Sequence, residues 1–432
     1  MRKAAFHTLG CKVNSYETEA MQEMLQKAGY EIVPFEEAAD VYVVNTCSVT
    51  NIADRKSRQM LHRAKKRNPQ AVVVAAGCYV QEAPEEVKKD EAVDLIIGNN
   101  RKKDLVSLLE EYFAGQEADA VVDLVKPCEY EELTIHTVAE RTRAYVKIQD
   151  GCNQFCSYCI IPYTRGRIRS RQPEDVLEEV KRLAASGRKE IVLTGIHLSS
   201  YGVDLGEEIR LLDLIRMIHP IEGIERIRLG SLEPGIITED FAYNLKQMDK
   251  VCPHFHLSLQ SGCKETLKRM NRKYTPEEYY EKCEILRRVY GNPAITTDVI
   301  VGFPGETEEE FQTTKAFLEK VHFFEMHIFK YSRRRGTKAD RMDNQIPEQV
   351  KGVRSDELLA LEKQMSEEYR QSLVGRTVQV LLEEEIEIGS EKRMVGHTPE
   401  YVRCAVKTQK EANEIVTAVC SGLYHGEVLL AE

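Results

Sequence analysis

The chain has 432 residues, with 60 Lys+Arg against 70 Asp+Glu, a formal charge of −10, 12 Cys and no Trp. That length allows about three domains with real cores, and the acidic balance excludes nucleic-acid binding by bulk charge, so any RNA contact must come from local basic patches. A charged fraction of 30% beside 42% hydrophobic residues excludes disorder over most of the chain.

The first third alternates short apolar runs (4–9, 41–45, 72–76 and 95–98) with stretches of helical spacing (15–28, 51–68, 84–89 and 103–114). Strand–helix alternation at this period predicts βαβ units and an open, mostly parallel sheet. A polar stretch, 115–140, reads as a connector. From about residue 143 the alternation resumes, with strands expected at 144–148, 191–195, 227–230, 256–259, 297–302 and 327–331. Helices are expected at 174–186, 211–218, 237–247, 276–289 and 308–320. Six successive βα units predict an incomplete (β/α)6 barrel of the TIM type, with chemistry at the C-terminal ends of the strands. A charged helix follows at 347–370. The remainder turns β-rich, with runs at 377–382, 402–406 and 415–419 and turns at 389–390 and 421–422, which predicts a small β-barrel. The expected division is 1–118, 138–370 and 372–432. No apolar run reaches about 18 residues, and the opening MRKAAFHTLGCKVN turns polar too soon for a signal-peptide apolar region. A cytoplasmic protein without a membrane partner is expected. Thiols stay reduced there, so the cysteines point to metal sites or buried thiols before disulfides.

The strongest motif is Gly151-Cys152-Asn153-Gln154-Phe155-Cys156-Ser157-Tyr158-Cys159, three thiols at CxxxCxxC spacing in a loop after an expected strand. A [4Fe–4S] cluster held by Cys152, Cys156 and Cys159 leaves one iron without a protein ligand. That iron can chelate the amino and carboxylate groups of S-adenosylmethionine (SAM), and electron injection then releases a 5′-deoxyadenosyl radical. The zinc alternative wants four N/S ligands, and no nearby fourth exists. Here the sequence resembles the radical SAM superfamily, and the aromatic Tyr158 fits that pattern.

A second constellation comes from strand ends. Cys11, Cys47 and Cys78 each follow an expected strand, in the settings Leu-Gly-Cys, Asn-Thr-Cys and Ala-Gly-Cys. The carboxyl ends of an open parallel sheet face a common crevice, so these three thiols converge and suit a second three-Cys cluster. The bland reading is three buried, apolar-type cysteines.

Together the two sets resemble the methylthiotransferases, over nearly the whole chain. The resemblance rests on Thr8-Leu9-Gly10-Cys11-Lys12-Val13-Asn14, Val44-Asn45-Thr46-Cys47, the loop from Gly151 to Tyr163 with Thr164-Arg165-Gly166, and Leu257-Ser258-Leu259-Gln260-Ser261-Gly262. It extends to Asp298-Val299-Ile300-Val301-Gly302-Phe303-Pro304-Gly305-Glu306 and to Tyr331-Ser332 with Arg335-Gly336-Thr337. It implies two [4Fe–4S] clusters, SAM as cofactor, and a reaction in which sulfur at the auxiliary cluster is methylated and then replaces a substrate hydrogen. It also implies a cofactor cradle of Tyr158, Thr194, Gly195, Ser231, Glu233, Gln260, Asp298 and Gly302. The terminal barrel resembles the family's RNA-binding TRAM domain, with Gly396-His397-Thr398-Pro399-Glu400-Tyr401 as local match, although residues 376–432 carry ten Glu against six Lys+Arg. Tyr401 and Tyr424 suit base stacking or a small core.

Two basic patches oppose the acidic average. Arg55, Lys56, Arg58, Arg63, Lys65, Lys66 and Arg67 fall on one expected helix, and Arg165, Arg167, Arg169 and Arg171 alternate after the cluster loop. Clustered arginine suits RNA phosphate. The other cysteines share no ligand-like spacing, and His254 and His256 alternate along one strand, as a strand face or a metal site. The motif around Cys11 resembles the branch of the family acting on N6-threonylcarbamoyladenosine beside the anticodon. Arg333, Arg334 and Arg335 are candidates for pairing with that group's carboxylate or with phosphate. The expected partners are the tRNA anticodon stem-loop, a reductant such as flavodoxin or ferredoxin, and an unspecified sulfur donor. The rival activities are methylthiolation of N6-isopentenyladenosine or of a ribosomal protein side chain; the non-enzymatic rival is an iron–sulfur carrier or RNA-binding module.

Overall fold

The computed structural model describes residues 1–432 except 117, 125, 127, 136–141 and 207. The first sheet contains β1 (Lys3–Thr8), β2 (Glu31–Val33), β3 (Val41–Thr46), β4 (Val72–Gly77) and β5 (Leu95–Ile97), all parallel in the order β2-β1-β3-β4-β5. β3 and β4 are buried along their whole length, as strands covered on both faces must be. One face packs Ala4, Val43 and Val74 under Met21 and Leu25 of helix Lys12–Lys27. The other packs Ala5, Val44 and Val73 under Leu61 and Ala64 of helix Asn51–Arg67, whose start is capped by Thr50. The sequence reading missed β2 and the short helix Cys78–Glu82.

The central region holds β6 (Arg143–Lys147), an antiparallel pair of β7 (Gln149–Asp150) and β8 (Arg169–Ser170), then β9 (Glu190–Thr194), β10 (Arg226–Leu229), β11 (His254–His256), β12 (Ala294–Val301) and β13 (Glu325–Lys330). Two parallel sheets, β10-β9-β6 and β11-β12-β13, meet through the bridges Ile227↔Val251 and Leu232↔Leu257 at the β10 and β11 segments. The six βα strands therefore line up as an incomplete barrel, as expected. The threonines of Thr275-Pro276-Glu277-Glu278 and Thr307-Glu308-Glu309-Glu310 close capping boxes that start helices Pro276–Tyr290 and Glu308–Val321. Helix Glu348–Gln371 packs on β13. Of the expected connector, the described residues include a bridge between Ala120 and Ile97 and the buried Leu133 and Ile135; 136–140 lie outside the described residues.

The C-terminal strands β14 (Thr377–Ile388), β15 (Glu391–His397), β16 (Arg403–Val406), β17 (Ile415–Tyr424) and β18 (Val428–Ala431) close a barrel in the order β14-β15-β16-β18-β17. The turn expected at 421–422 lies instead inside β17, where the register with β18 slips between Cys420 and Gly422; a strand glycine marks a bulge as readily as a turn. Arg226 donates to His397 O (2.9 Å) and Gln379 O (3.0 Å), and Arg228 to Pro399 O (2.7 Å), seating this barrel against β10. No helix among the described residues is long and apolar enough to cross a membrane.

The first sheet and the central barrel are joined by a buried ion cluster. Glu17 accepts from Lys102 (2.7 Å), Lys147 (2.8 Å) and both Arg165 nitrogens (2.9 and 3.0 Å). Asp150 pairs with Lys147 (2.7 Å) and Arg165 (3.0 Å). Burial alone would raise the Glu17 carboxyl, but Arg165, Lys102 and Lys147 hold it well below its ordinary 4.5. Replacing Arg165 by Met leaves two buried carboxylates short of a partner and is expected to cost about 3–5 kcal/mol in urea unfolding. Because the native carboxyl titrates below its unfolded value, the stability it contributes is full above pH 4.5 and is lost as pH falls below that. Glu17→Gln should show a shallower acid loss over that interval.

Candidate active site

Cys11, Cys47 and Cys78 stand at the C-terminal ends of β1, β3 and β4, as the topology predicts. Backbone and side-chain bonds stitch their loops together. Asn14 Nδ2 donates to Leu9 O (2.7 Å) and Thr46 O (3.0 Å), and Thr46 Oγ1 donates to Ala76 O (2.6 Å). Gly10 has φ +102°, and a Cβ there would lie 2.9 Å from both Cβ and Sγ of Cys47. Only glycine lets the Cys11 loop approach the Cys47 side chain so closely. Burial pushes the Cys47 thiol up to about 12, and the nearby Cys78 and Cys11 add to the shift. Cys47 and Cys78 are buried, while Cys11 is open to solvent.

The second triad lies in the loop between β7 and β8. Gly151, with φ +71°, has no room for a Cβ, which would fall 1.8 Å from Arg167 O. The loop is pinned from across the barrel: Ser157 N donates to Met270 O (3.0 Å), Ser157 Oγ to Arg269 O (2.8 Å) and Asn271 Nδ2 to Phe155 O (3.0 Å). Burial pushes Cys152 up to about 11 and Cys159 up to about 12, with the Cys156 sulfur adding to both. Arg272 opposes that trend. Its side chain is only 5% exposed, donates to Cys156 Sγ at 3.2 Å and grips both Glu233 oxygens at 2.8 Å. Six sulfurs in two converging sets, with Arg165 beside one and Arg272 beside the other, form a donor set suited to thiolate-held iron.

The other expected site residues separate into groups. Tyr158 packs edge-on to Phe303 at 6.4 Å. Thr194 and Gly195 end β9, where Thr194 O already accepts from Ile148 N (2.9 Å). Ser231 is exposed past β10, and Glu233 is held by Arg272. Gln260, with φ +73°, is bracketed by Asp298 O and Ile300 N. Asp298 faces His256 at 3.3 Å, and together with His327 these offer ligand atoms within 4.8 Å of one another. Gly302 follows β12 as expected, and its amide donates to Glu306 Oε2 (2.7 Å), which shapes the turn there.

The arginines require the main correction. Arg165 is wholly buried in the ion cluster. Arg169 is buried against Asp150 and the carbonyls of Arg165 and Arg167, and Arg171 pairs with Glu179 at 2.7 Å. None of these three presents a guanidinium to RNA; Arg167 alone of the four is exposed, resting over the Phe155 ring. Arg334 likewise is buried between Asp54 and Glu82, and Arg333 pairs with Asp340, which leaves Arg335 exposed. On helix Asn51–Arg67, Lys65 is taken by Asp94, whereas Arg55, Lys56, Arg63 and Lys66 are exposed. Tyr401 lies between His397 and His254, facing the central barrel. Arg272 and Gln149, whose side chain bonds Gly151 O and His197 N, were missed because neither sits in a spacing motif.

Residues 146–318 match the Radical SAM superfamily, and residues 3–98 match Uncharacterized protein family UPF0004. The chain is 43% identical to the threonylcarbamoyladenosine tRNA methylthiotransferase MtaB of Bacillus subtilis (strain 168), over 94% of this chain and 91% of that one. It is 41% identical to the tRNA-2-methylthio-N(6)-dimethylallyladenosine synthase of Thermoanaerobacter sp. (strain X514), over 87% of this chain and 81% of that one. Among solved structures, the radical S-adenosylmethionine methyltransferase TsrM from Kitasatospora setae shares the fold, with a TM-score of 0.58 at 16% identity over 76% of this chain and 72% of that one. The two cysteine triads and the two matched regions coincide, and the chain belongs to the radical SAM tRNA methylthiotransferase family.

Proposed function

We propose that the protein converts N6-threonylcarbamoyladenosine beside the tRNA anticodon to its 2-methylthio derivative. The observation that carries this reading is the pair of cysteine triads locked to one another by the Glu17–Arg165 cluster, in a chain 43% identical to threonylcarbamoyladenosine tRNA methylthiotransferases. Cys152, Cys156 and Cys159 would hold one [4Fe–4S] cluster, with SAM at its open iron, and Cys11, Cys47 and Cys78 would hold the auxiliary cluster. When bound, these groups supply the radical and the sulfur for methylthio transfer.

The chain's own residues prepare that site. Arg272 fixes the Cys156 side chain and turns Glu233 inward, so the cradle carboxylate is oriented before any ligand arrives. Gln149 ties the strand end before Cys152 to the loop after Gly195. The cradle assigned here comprises Tyr158, Thr194, Gly195, Ser231, Glu233, Gln260 and Asp298. Residues 1–118, 138–370 and 372–432 make up the three working units. The last is a TRAM-type barrel, although its Gly396–Tyr401 segment is turned toward the central barrel. The anticodon stem-loop is the substrate partner, met by the exposed Arg55, Lys56, Arg63, Lys66 and Arg167. A low-potential reductant such as flavodoxin or ferredoxin completes the system, in the cytoplasm.

Fully loaded protein should carry about eight irons per chain. Replacing Cys152, Cys156 and Cys159 by Ala should halve the iron and abolish SAM cleavage. Replacing Cys11, Cys47 and Cys78 should halve the iron yet leave 5′-deoxyadenosine release measurable; full iron in that variant overturns the auxiliary site. Nucleoside mass spectrometry of tRNA from a strain lacking the gene tests the substrate. The 2-methylthio form of threonylcarbamoyladenosine should vanish while its precursor accumulates. Loss of the isopentenyl derivative instead would move the chain to the other branch.

A further inference from the structure

Lys12 directly follows the solvent-open Cys11, at the start of helix Lys12–Lys27. It is itself exposed, and the charged side chains that bear on it come from three strands of the central barrel: the buried Arg228 of β10 and the half-buried Arg143 of β6 and Asp298 of β12, besides Cys11. Each of those neighbours has its own partner. Arg228 bonds Glu190 at 2.8 Å, Arg143 pairs with Glu383 at 3.1 Å, and Asp298 faces His256 at 3.3 Å. Among the described residues Lys12 has no carboxylate within 4 Å. An accessible ammonium beside a proposed cluster ligand, with no ion-pair partner of its own among the described residues, is free to take an anion.

We propose that Lys12 receives the carboxylate of the N6-threonylcarbamoyl group and thereby selects an acidic adenosine over an apolar one. The inference rests on the tRNA reading above and adds the specificity-determining residue. The chemistry of the substrate places the anion correctly. The ureido N–H can close a six-membered hydrogen-bonded ring on adenine N1, and N1 adjoins C2, the carbon to be modified. That ring turns the amino-acid end toward the C2 edge, which is the edge that must meet the Cys11 side of the site. A purely hydrocarbon N6 group has nothing to offer the ammonium and would strip its water without return. Of Arg333, Arg334 and Arg335, the residues first expected to meet this carboxylate, the first two are occupied by Asp340 and by Asp54 with Glu82, while Arg335 is exposed and stays available for phosphate.

The test compares reconstituted wild-type protein with Lys12→Gln and Lys12→Arg. Binding is measured to anticodon stem-loops carrying threonylcarbamoyladenosine, its methyl ester or plain adenosine. Wild type should prefer the free acid over the ester by about tenfold to a hundredfold. Lys12→Gln should bind acid and ester alike and hold the plain loop as wild type does, and Lys12→Arg should keep most of the preference. An undiminished preference in Lys12→Gln overturns the assignment. So does an equal loss on all three loops, which would make Lys12 a phosphate contact. If wild type fails to distinguish the carbamoylated loop from the plain one, the substrate reading itself falls, and this assignment with it.

Discussion

One buried carboxylate, Glu17, sets the relation between the two cysteine sites. It extends from the helix that begins immediately after Cys11, and it is satisfied only by cations from elsewhere: Lys102, Lys147 and Arg165. Removing charge from water is costly, so such a cluster persists only when every member is paired. Arg165 lies just beyond the CxxxCxxC loop and also bonds Asn14 Oδ1 at 2.6 Å. Asn14 in turn bonds the chain before Cys11 and before Cys47. A continuous set of hydrogen bonds therefore runs from one triad to the other. Displacing either set would expose an unpaired charge in the interior.

Within each triad the backbone does the positioning, and burial disfavours ionisation of Cys47, Cys152 and Cys159. The raised Cys47, Cys152 and Cys159 thiols reflect exclusion of water and mutual repulsion of the sulfurs. Arg165 and Arg272 lower that barrier locally, so thiolate formation is favoured where a cation binds and disfavoured elsewhere. The same exclusion of water suits a site that must protect a radical from quenching.

Much of this was legible in the sequence. Apolar alternation located most of the parallel strands within a residue or two, because a strand covered on both faces is a plain apolar run. Cysteines at strand ends pointed to the proposed auxiliary site for the same topological reason, and the fold does bring all three to the C-terminal ends of β1, β3 and β4. The three-residue β2 and the short β18 were not legible, since so few residues display no period. The arginines misled for a different reason. Arg165, Arg169 and Arg171 alternate like a solvated ribbon, but their partners Glu17, Asp150, Glu179 and Tyr16 come from distant segments that only the folded chain unites. Arg272 belongs to no motif, and its role emerges only when Cys156 and Glu233 are seen on either side of it.

The buried ion cluster holds the two triads at a fixed separation across one interior. Pulsed electron paramagnetic resonance on the fully reconstituted, reduced protein measures this through the magnetic coupling of the two clusters. One narrow separation is expected in wild type. A broadened distribution is expected in Arg165→Lys, which keeps the charge but loses the forked contact, with both iron complements intact. Uncoupled clusters in wild type, or an unchanged distribution in Arg165→Lys, would contradict that role of the ion cluster.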